Sequence, residues 1–404
     1  MKVRAGVLFA AAMCAACALA RETYSVRDFG AKGDGATKDT AAVQAALDAC
    51  AKTGGRVNVP PGTYLIGSIY VGDDTELHLE KGATLLGSPD LADYNEPDAY
   101  PQNWGSVKEG WSAKHLILVL EKRNVSITGE GAIDGNGRAF FDDKIQYRGK
   151  IGWRNGARNA KGARSEQRRP GQEIVFIECE GVEVRGVTFL DMSCWSCFFY
   201  GCADVTVGNV TVRNGLLNLN TDGFDVDSCR NVRIGDCDIV TGDDAIAIRG
   251  NPSRLKDKDK VCENVRVSNI VCRVSADGVR VGVGHGTIRN VHVSNMRING
   301  SGRGLHVQCC YGSPAAGQKV GVDISDVTFE DITIADTCES VCVMAGAHTS
   351  TATLRDIHFR NVKAESCNPS PTITGGGKTL PERITFDNCT FTLVNPPPPA
   401  GNML

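Results

Sequence analysis

The sequence predicts an all-β protein, a single-stranded right-handed parallel β-helix with a short helix capping its N-terminal end. Two families of recurring short strands predict this fold. The first reads apolar, any, Asn/Asp/Gly, Val/Ile, any, apolar, and it alternates with period two, which is typical of a strand. No helical segment separates its copies, so we expect each coil to stack on the next. The copies follow one another at intervals of about 30 residues and begin at Cys179, Cys202, Cys229, Cys262, Ile288, Ile324 and Leu354.

The first twenty residues predict a cleaved secretory signal peptide. They combine the basic residues Lys2 and Arg4 with a short apolar run and a small-residue ending at Ala20, and the run is too short to span a membrane. A lipoprotein anchor on Cys17 is disfavoured, because Cys14 stands where such a signal usually has an aliphatic residue. We therefore expect a secreted or periplasmic protein.

A short amphipathic helix is predicted near the N-terminus of the mature chain. The segment AAVQAALDACAK, from Ala41, has apolar residues at helical spacing, and Asp39 or Thr40 can act as its N-cap. Such a helix would cover the open edge of the first coil. The predicted β-helix domain then occupies residues 21–393, and the proline-rich residues 394–404 form a stiff tail.

The cysteines admit two interpretations. Seventeen of them in an exported chain suggest disulfides, although without Cys14 and Cys17 an odd number remains. Cysteine starts the first four copies of the repeat, in the column where Ile288 and Ile324 stand later, which favours small buried apolar side chains. Disulfides between coils stay open.

A second strand precedes most copies of the first repeat: WSCFFY, DGFDVD, DAIAIR, DGVRVG, RGLHVQ and ESVCVM. Its third and fifth positions are mostly apolar and should face the core, so the first, fourth and sixth project outward or sit at the entrance of the strand. Stacked coils lie about 4.8 Å apart. The first positions are Trp195, Asp222, Asp244, Asp277, Arg303 and Glu339, and the fourth are Phe198, Asp225, Ala247, Arg280, His306 and Cys342.

This register brings Asp222, Asp243 and Asp244 together on one outward face. Like charges at such a distance resist simultaneous ionisation, which raises one pKa and supplies an acid and a base from one residue type. The alternative is a group of solvated turn residues or calcium ligands.

Composition excludes several classes of protein. The chain is 42% hydrophobic and 23% charged with a formal net charge of −3, so nothing indicates nucleic-acid binding. No segment after the first twenty residues predicts a membrane span. We expect a monomer.

The motifs NTDGFD, from Asn220, and GDDAIAIR, from Gly242, resemble those of the polygalacturonase family, glycoside hydrolase family 28. The strings YSVRDFGAKGDG, GGRVNVPPGTYLIGSI and GAIDGNG extend the resemblance through the N-terminal half. It implies inverting hydrolysis of α-glycosidic bonds in pectic polysaccharide of the plant cell wall, of galacturonan or rhamnogalacturonan type, without metal or cofactor. Asp243 would be the acid, Asp222 and Asp244 would activate the water, and Asn220 would bind or orient substrate.

The chain departs from the family at the accessory motifs. The family histidine aligns with Asp277, which leaves His285 of the GHG triplet seven residues late, in a turn, where we expect it off the catalytic face. The family arginine and lysine fall on His306 and Gln308, and the family tyrosine is absent.

These departures lead to expectations about substrate binding. Arg280 and Arg303, one coil apart, are candidates for binding a substrate carboxylate, or they neutralise Asp244 and Asp277. With His306 in place of arginine, polygalacturonate should be a poor substrate at neutral pH, and activity on it should improve as His306 is protonated toward about pH 5.

Two insertions are candidates for shaping the binding face. Residues 93–111 carry Tyr94, Tyr100, Trp104 and Trp111, which would stack on sugars or pack the loop. Residues 144–169 are strongly basic and suit either a polyanionic partner or a solvated loop.

Two other functions fit the same pattern. A β-helix polysaccharide lyase would hold calcium on the aspartates and use a base such as Arg280. A glycan-binding β-helix without activity would not need the full set of acidic residues.

Overall fold

The computed structural model describes residues 22–103, 111–141, 168–310, 321–346, 351–366, 368 and 371–394. The predicted signal peptide, nearly all of the basic insertion and the proline-rich residues from 395 onward lie outside them. Within these ranges the chain forms one sheet of 28 strands, and every pairing between strands is parallel. No helix in the described ranges is long and apolar enough to cross a membrane.

The strands are short in the N-terminal coils and merge into longer ones toward the C-terminus. Single-turn 3₁₀ segments lie at Val26–Phe29, Leu91–Asp93, Pro101–Asn103, Gly137–Ala139 and Pro252–Arg254. The strands are β1 Thr23–Ser25, β2 Asp34–Lys38, β3 Gly55–Val59, β4 Gly62–Ile66, β5 Ile69–Tyr70, β6 Thr75–Leu79, β7 Ala83–Gly87, β8 Ile117–Leu120, β9 Arg123–Gly129, β10 Ala132–Asp134, β11 Ile174–Ile177, β12 Glu180–Arg185, β13 Thr188–Leu190, β14 Cys197–Tyr200, β15 Ala203–Gly208, β16 Thr211–Arg213, β17 Phe224–Asp227, β18 Arg230–Thr241, β19 Ile246–Gly250, β20 Cys262–Val274, β21 Asp277–Gly284, β22 Thr287–Gln308, β23 Asp323–Met344, β24 Leu354–Arg360, β25 Lys363–Ser366, β26 Thr372–Thr374, β27 Pro381–Asp387 and β28 Thr390–Leu393.

Each strand pairs with its equivalent one coil later, which makes the fold a right-handed parallel β-helix as predicted. The second repeat forms the ladder β14, β17, β19, β21, β22. Its partners Asp225, Ala247, Arg280 and His306 follow one another in the predicted order. The fourth-position column is therefore confirmed.

The polar third position of the first repeat is explained by the backbone. Asp204, Asn231, Asn264 and Asn290 all have φ between 52° and 57°, a left-handed conformation that Asn and Asp tolerate better than other side chains. Their side chains bond from coil to coil, as from Asn231 to Asp204 at 2.8 Å and from Asn264 to Asn231 at 3.0 Å. The repeat thus combines a tight turn with an amide ladder.

One helix, α1 (Thr40–Thr53), packs on the first coils and buries Val43, Leu47 and Cys50. It begins after Asp39, as predicted, but the Asp39 carboxylate does not cap it. That carboxylate instead accepts hydrogen bonds from the backbone N–H groups of Lys32 and Gly33, so it fixes the turn that leads into the helix.

The core confirms the interpretation of cysteine as a small apolar residue. Of the fourteen cysteines in the described ranges, all but Cys338 and Cys389 are buried, and the repeat cysteines Cys179, Cys202, Cys229 and Cys262 are free thiols. Several donate to carbonyl groups of the neighbouring coil, as Cys202 does to Phe176 at 3.2 Å. Stacked rings such as Phe359 and Phe386, with centroids 4.8 Å apart, fill the same core.

Candidate active site

The outward face of the β17–β19–β21 ladder opens into a cavity of about 340 Å³, which we call the central cavity. Acidic, basic and aromatic side chains share its walls. It is lined by Trp111, Trp195, Asn220, Asp222, Asp243, Asp244, Arg249, Asn251, Arg280, Val283, Gly284 and His285.

Three carboxylates, the aspartate trio Asp222, Asp243 and Asp244, meet at the floor of this cavity. Asp222 precedes β17 and the other two precede β19, so the pairing of those strands places them side by side. They are only 5%, 6% and 2% exposed, and one oxygen of each lies within 4.8 Å of the others. This value is an upper limit for one oxygen of each group and is not the separation of the carboxyl groups, which in inverting glycosidases is roughly 6.5–9.5 Å.

Burial favours the protonated form of Asp222 and of Asp244. It raises the pKa of Asp222 well above its ordinary value, and the charges of Asp225, Asp243 and Asp244 add to that effect. For Asp244, burial followed by the charges of Asp277 and Asp243 raises the pKa to about 7. The shift expected from crowding is present, although burial contributes more than the neighbouring charges.

The raised pKa of Asp244 predicts an unusual pH dependence of stability. The folded state binds a proton between the ordinary pKa of 3.8 and about 7, so this residue's contribution to stability falls as pH rises through that window. Asp244→Asn should therefore raise the free energy of unfolding by up to about 4 kcal/mol at pH 8 and hardly at all at pH 4. Urea unfolding at both pH values measures this.

Asp356→Asn is a control variant in which the expected change in the free energy of unfolding has the opposite sign. Its hydrogen bonds and ion pair with Arg383 lower the pKa of Asp356 to about 2, so that variant should lose stability at pH 8. Equal gains for Asp244→Asn at pH 4 and pH 8 would show that Asp244 ionises normally.

Backbone groups orient the trio. Asp243 accepts a hydrogen bond from the N–H of Asn220 at 3.2 Å, and Asp244 accepts one from the N–H of Asp277 at 3.0 Å. The side-chain oxygen of Asn220 is itself held by the buried guanidinium of Arg169 at 2.9 Å. The Asn220 backbone thus helps to position Asp243, and binding or orientation of substrate by Asn220 stays a prediction; Arg169 is a supporting residue that the sequence pattern did not single out.

Arg280 lies in the central cavity, whereas Arg303 and His306 are absent from its lining. The Arg280 guanidinium is 3.4 Å from Asp244. Behind it, Asp277 binds Arg303 at 2.8 Å and His306 at 2.7 Å. Of the two explanations for the arginines, the structure shows the neutralisation of Asp277 by Arg303, and binding of substrate by Arg303 stays a prediction.

The expected role of His306 as a cation facing substrate is wrong, because its side chain is fully buried. Burial lowers the pKa of His306 even though Asp277 opposes that shift. Burial alone would raise the pKa of Asp277, but His306, Arg303 and Arg280 hold it well below its ordinary value. The three residues Asp277, Arg303 and His306 form a buried charge network that supports the trio from behind.

His285 lies in the lining of the central cavity, contrary to the expectation that it lies off this face. The pairing of β19 with β21 shifts by one residue, so that Gly250 faces Gly284 while Ile248 faces Val281. Val283 has a φ of 75°, and the His285 N–H donates to Gly250. This bulge carries the chain back over the cavity, and a straight register could not predict it.

Arg249 is a cavity residue that the sequence reasoning missed. Its guanidinium lies 4.6 Å from the ring centroid of Trp195 and contacts Asp227 at 3.4 Å and Asp225 at 3.8 Å. It holds the sixth, outward position of DAIAIR, so the alternation rule contained the signal. Trp195 in turn packs edge-on against Trp111, at 5.6 Å.

The aromatic residues of the insertion 93–111 differ in position: some line the cavity, where sugars could stack, and others pack the loop. Trp111 lines the central cavity, whereas Tyr94 and Tyr100 are buried as packing residues. Trp104 falls outside the described residues.

Clustered carboxylates beside aromatic rings on a parallel β-helix are typical of an enzyme that degrades polysaccharides. The chain belongs to glycosyl hydrolases family 28, whose model matches residues 102–396. Residues 23–158 also match a model described as rhamnogalacturonase A/epimerase, pectate lyase-like. Family membership makes the chain a glycoside hydrolase of polygalacturonase type, which decides against the lyase and against a binding protein without activity.

Individual relatives agree with this assignment. A probable polygalacturonase of Vitis vinifera is 25% identical over 84% of this chain and 75% of its own length. An endo-polygalacturonase of Pectobacterium parmentieri is 25% identical over 89% of this chain and 86% of its own. The crystal structure of an exopolygalacturonase from Thermotoga maritima superimposes with a TM-score of 0.67 at 20% identity, over 92% of each chain, and supports the fold.

Proposed function

We propose that the protein is an exported hydrolase that cleaves α-glycosidic bonds of galacturonan-type pectic polysaccharide with inversion at the anomeric carbon. The observation that carries this proposal is the central cavity, where the aspartate trio is flanked by the guanidinium groups of Arg249 and Arg280. The aspartates would carry out the hydrolysis, and the two arginines would bind the carboxylate of a uronate.

Asp243 is assigned as the general acid, and Asp222 and Asp244 as the groups that activate water. Arg280 and the Asp277 N–H both favour the charged form of Asp244, which suits a base. One buried oxygen of Asp222 has no hydrogen-bond partner among the described residues. The charge of Asp243 is one cause of the raised pKa of both Asp222 and Asp244, so a proton shared within this group is close to Asp243, which would pass it to the leaving oxygen.

Substrate recognition is assigned to the two arginines of the cavity. Their side chains are about equally exposed, 14% for Arg249 and 13% for Arg280. A guanidinium carries its N–H donors in a planar fork that matches the geometry of a carboxylate. The rings of Trp111 and Trp195 offer an apolar surface for a sugar face. These side chains supply the charge that the loss of the family arginine and lysine had seemed to remove.

We therefore expect polygalacturonate to be cleaved at least about tenfold more efficiently than rhamnogalacturonan at neutral pH, in place of the expectation from sequence that it is a poor substrate. Each lost carboxylate contact to an arginine removes about 1.5 kcal/mol or more of transition-state binding. Reducing-end release on the two polymers, compared as kcat/KM, measures this.

Arg249→Gln tests the same recognition, because it removes one cation of the cavity and retains the three aspartates, and it should reduce the preference for polygalacturonate. Proton NMR of the first-formed anomer tests inversion. A better rate on rhamnogalacturonan, or a retained anomer, would contradict the corresponding part of the proposal.

Export rests on the first twenty residues. Expression with this segment should yield an exported chain that begins at Arg21, and N-terminal sequencing decides the point. A chain that keeps its first twenty residues in the cell would contradict export and leave the catalytic proposal unaffected.

A further inference from the structure

A second cavity, of about 490 Å³, adjoins the central cavity; we call it the side cavity. The two share Asn251 and His285 in their linings, so they form one continuous depression along the β-helix. Its far wall comes from the loop between β19 and β20 and carries Lys258, Asp259 and Lys260. A chain bound across the trio would pass along this loop.

The two lysines of this wall offer positive charge. Lys258 donates to the carbonyl of Ser253 at 2.9 Å, and Lys260 donates to the carbonyl of Gly201. An ammonium group has three donors, and each of these bonds uses one. In the described part of the chain neither lysine belongs to an ion pair within 4.0 Å, so Asp259, beside them in the lining, does not neutralise either by direct contact.

A neighbouring lysine shows the contrast. Lys256, two residues earlier in the same loop, forms an ion pair with Glu121 and does not line the side cavity. The loop therefore places Lys256 in a surface ion pair and places Lys258 and Lys260 in the wall of the side cavity. Lys256 is a matched control for them.

We propose that the side cavity is a further subsite that binds the carboxylate of a uronate unit remote from the cleavage point, through Lys258 and Lys260. The inference rests on the proposed function, because it extends the path of the same polyanionic chain. Lysine suits this place, since a flexible point charge accepts carboxylates in several orientations while the arginine forks fix the unit at the reacting centre.

The test uses the full chain with Asp243→Asn, which is expected to slow turnover, and calorimetric titration with galacturonate oligomers of two and five units. Adding Lys258→Ala and Lys260→Ala should weaken binding of the longer oligomer about fivefold, the scale of two partly exposed charge contacts. Binding of the dimer should not change, and neither should binding of a pentamer whose carboxylates are methyl-esterified. Adding Lys256→Ala instead should leave all three affinities unchanged.

The outcomes separate the subsite from the proposed function. Weakening of the longer oligomer alone supports the subsite. Equal weakening of both lengths, no weakening, or the same effect from Lys256→Ala overturns it while the proposed function stands. If the parent protein binds neither oligomer and the active enzyme cleaves no polygalacturonate, the proposed function fails and the subsite fails with it.

Discussion

Replacement of Asp243 by asparagine is expected to lower kcat on polygalacturonate at least about a hundredfold, the usual contribution of a general acid. Asparagine keeps the size of the side chain and can still contact the Asn220 backbone through its amide oxygen, but it cannot donate a proton to the leaving oxygen. The reducing-end assay gives kcat, and circular dichroism and thermal unfolding check that the fold is unchanged.

A substrate with a good leaving group distinguishes the roles within the trio. An aryl galacturonide with an acidic phenol needs little protonation, so Asp243→Asn should recover much of its rate on that compound. Asp222→Asn should stay slow on it, because activation of water is still required. If Asp222→Asn were the variant that recovered, the acid would be Asp222, in keeping with its raised pKa.

The ladder of the second repeat shows what a sequence can predict about this fold. Each side chain of a strand points to one of only two faces of the sheet, and each coil must align its apolar positions with those of the next coil. The alignment of Asp225, Ala247, Arg280 and His306 followed from that rule alone, and the structure has the same pairs. Asp222 and Asp244 met for the same reason.

The rest of the site depended on features without a period. His285 reaches the cavity through a bulge, which adds a residue where alternation cannot place it. Arg303 and His306 occupy outward positions in the pattern and are nonetheless buried, because alternation gives the direction of a side chain and not what covers it. Trp111 comes from an insertion outside the repeat, so its place follows only from the folded chain.

Asp277→Ala is expected to cost about 3–5 kcal/mol of folding free energy, the usual result of removing one member of a buried charge network. It would leave Arg303 without its partner at 2.8 Å and His306 without its partner at 2.7 Å, and all three residues are at most 9% exposed. Urea unfolding at pH 7 measures the loss. His285→Ala, a change in the cavity wall, should cost less than about 1 kcal/mol.

The pH dependence of the stability loss in Asp277→Ala tests whether the charge of Asp277 causes that loss. Because His306, Arg303 and Arg280 lower the pKa of Asp277 in the folded protein, its contribution to stability is present above the ordinary pKa near 3.8 and is lost as pH falls below it. The difference in the free energy of unfolding between wild type and Asp277→Ala should therefore become smaller as the pH falls from 5 to 3. Combining Asp277→Ala with Arg303→Met and His306→Leu should recover part of the loss, since apolar side chains leave no buried charge unpaired. Two results together would contradict this explanation: a triple variant as unstable as Asp277→Ala, and a stability difference between wild type and Asp277→Ala that does not depend on pH. They would mean that packing around Asp277 rather than its charge stabilises the coil behind Asp244.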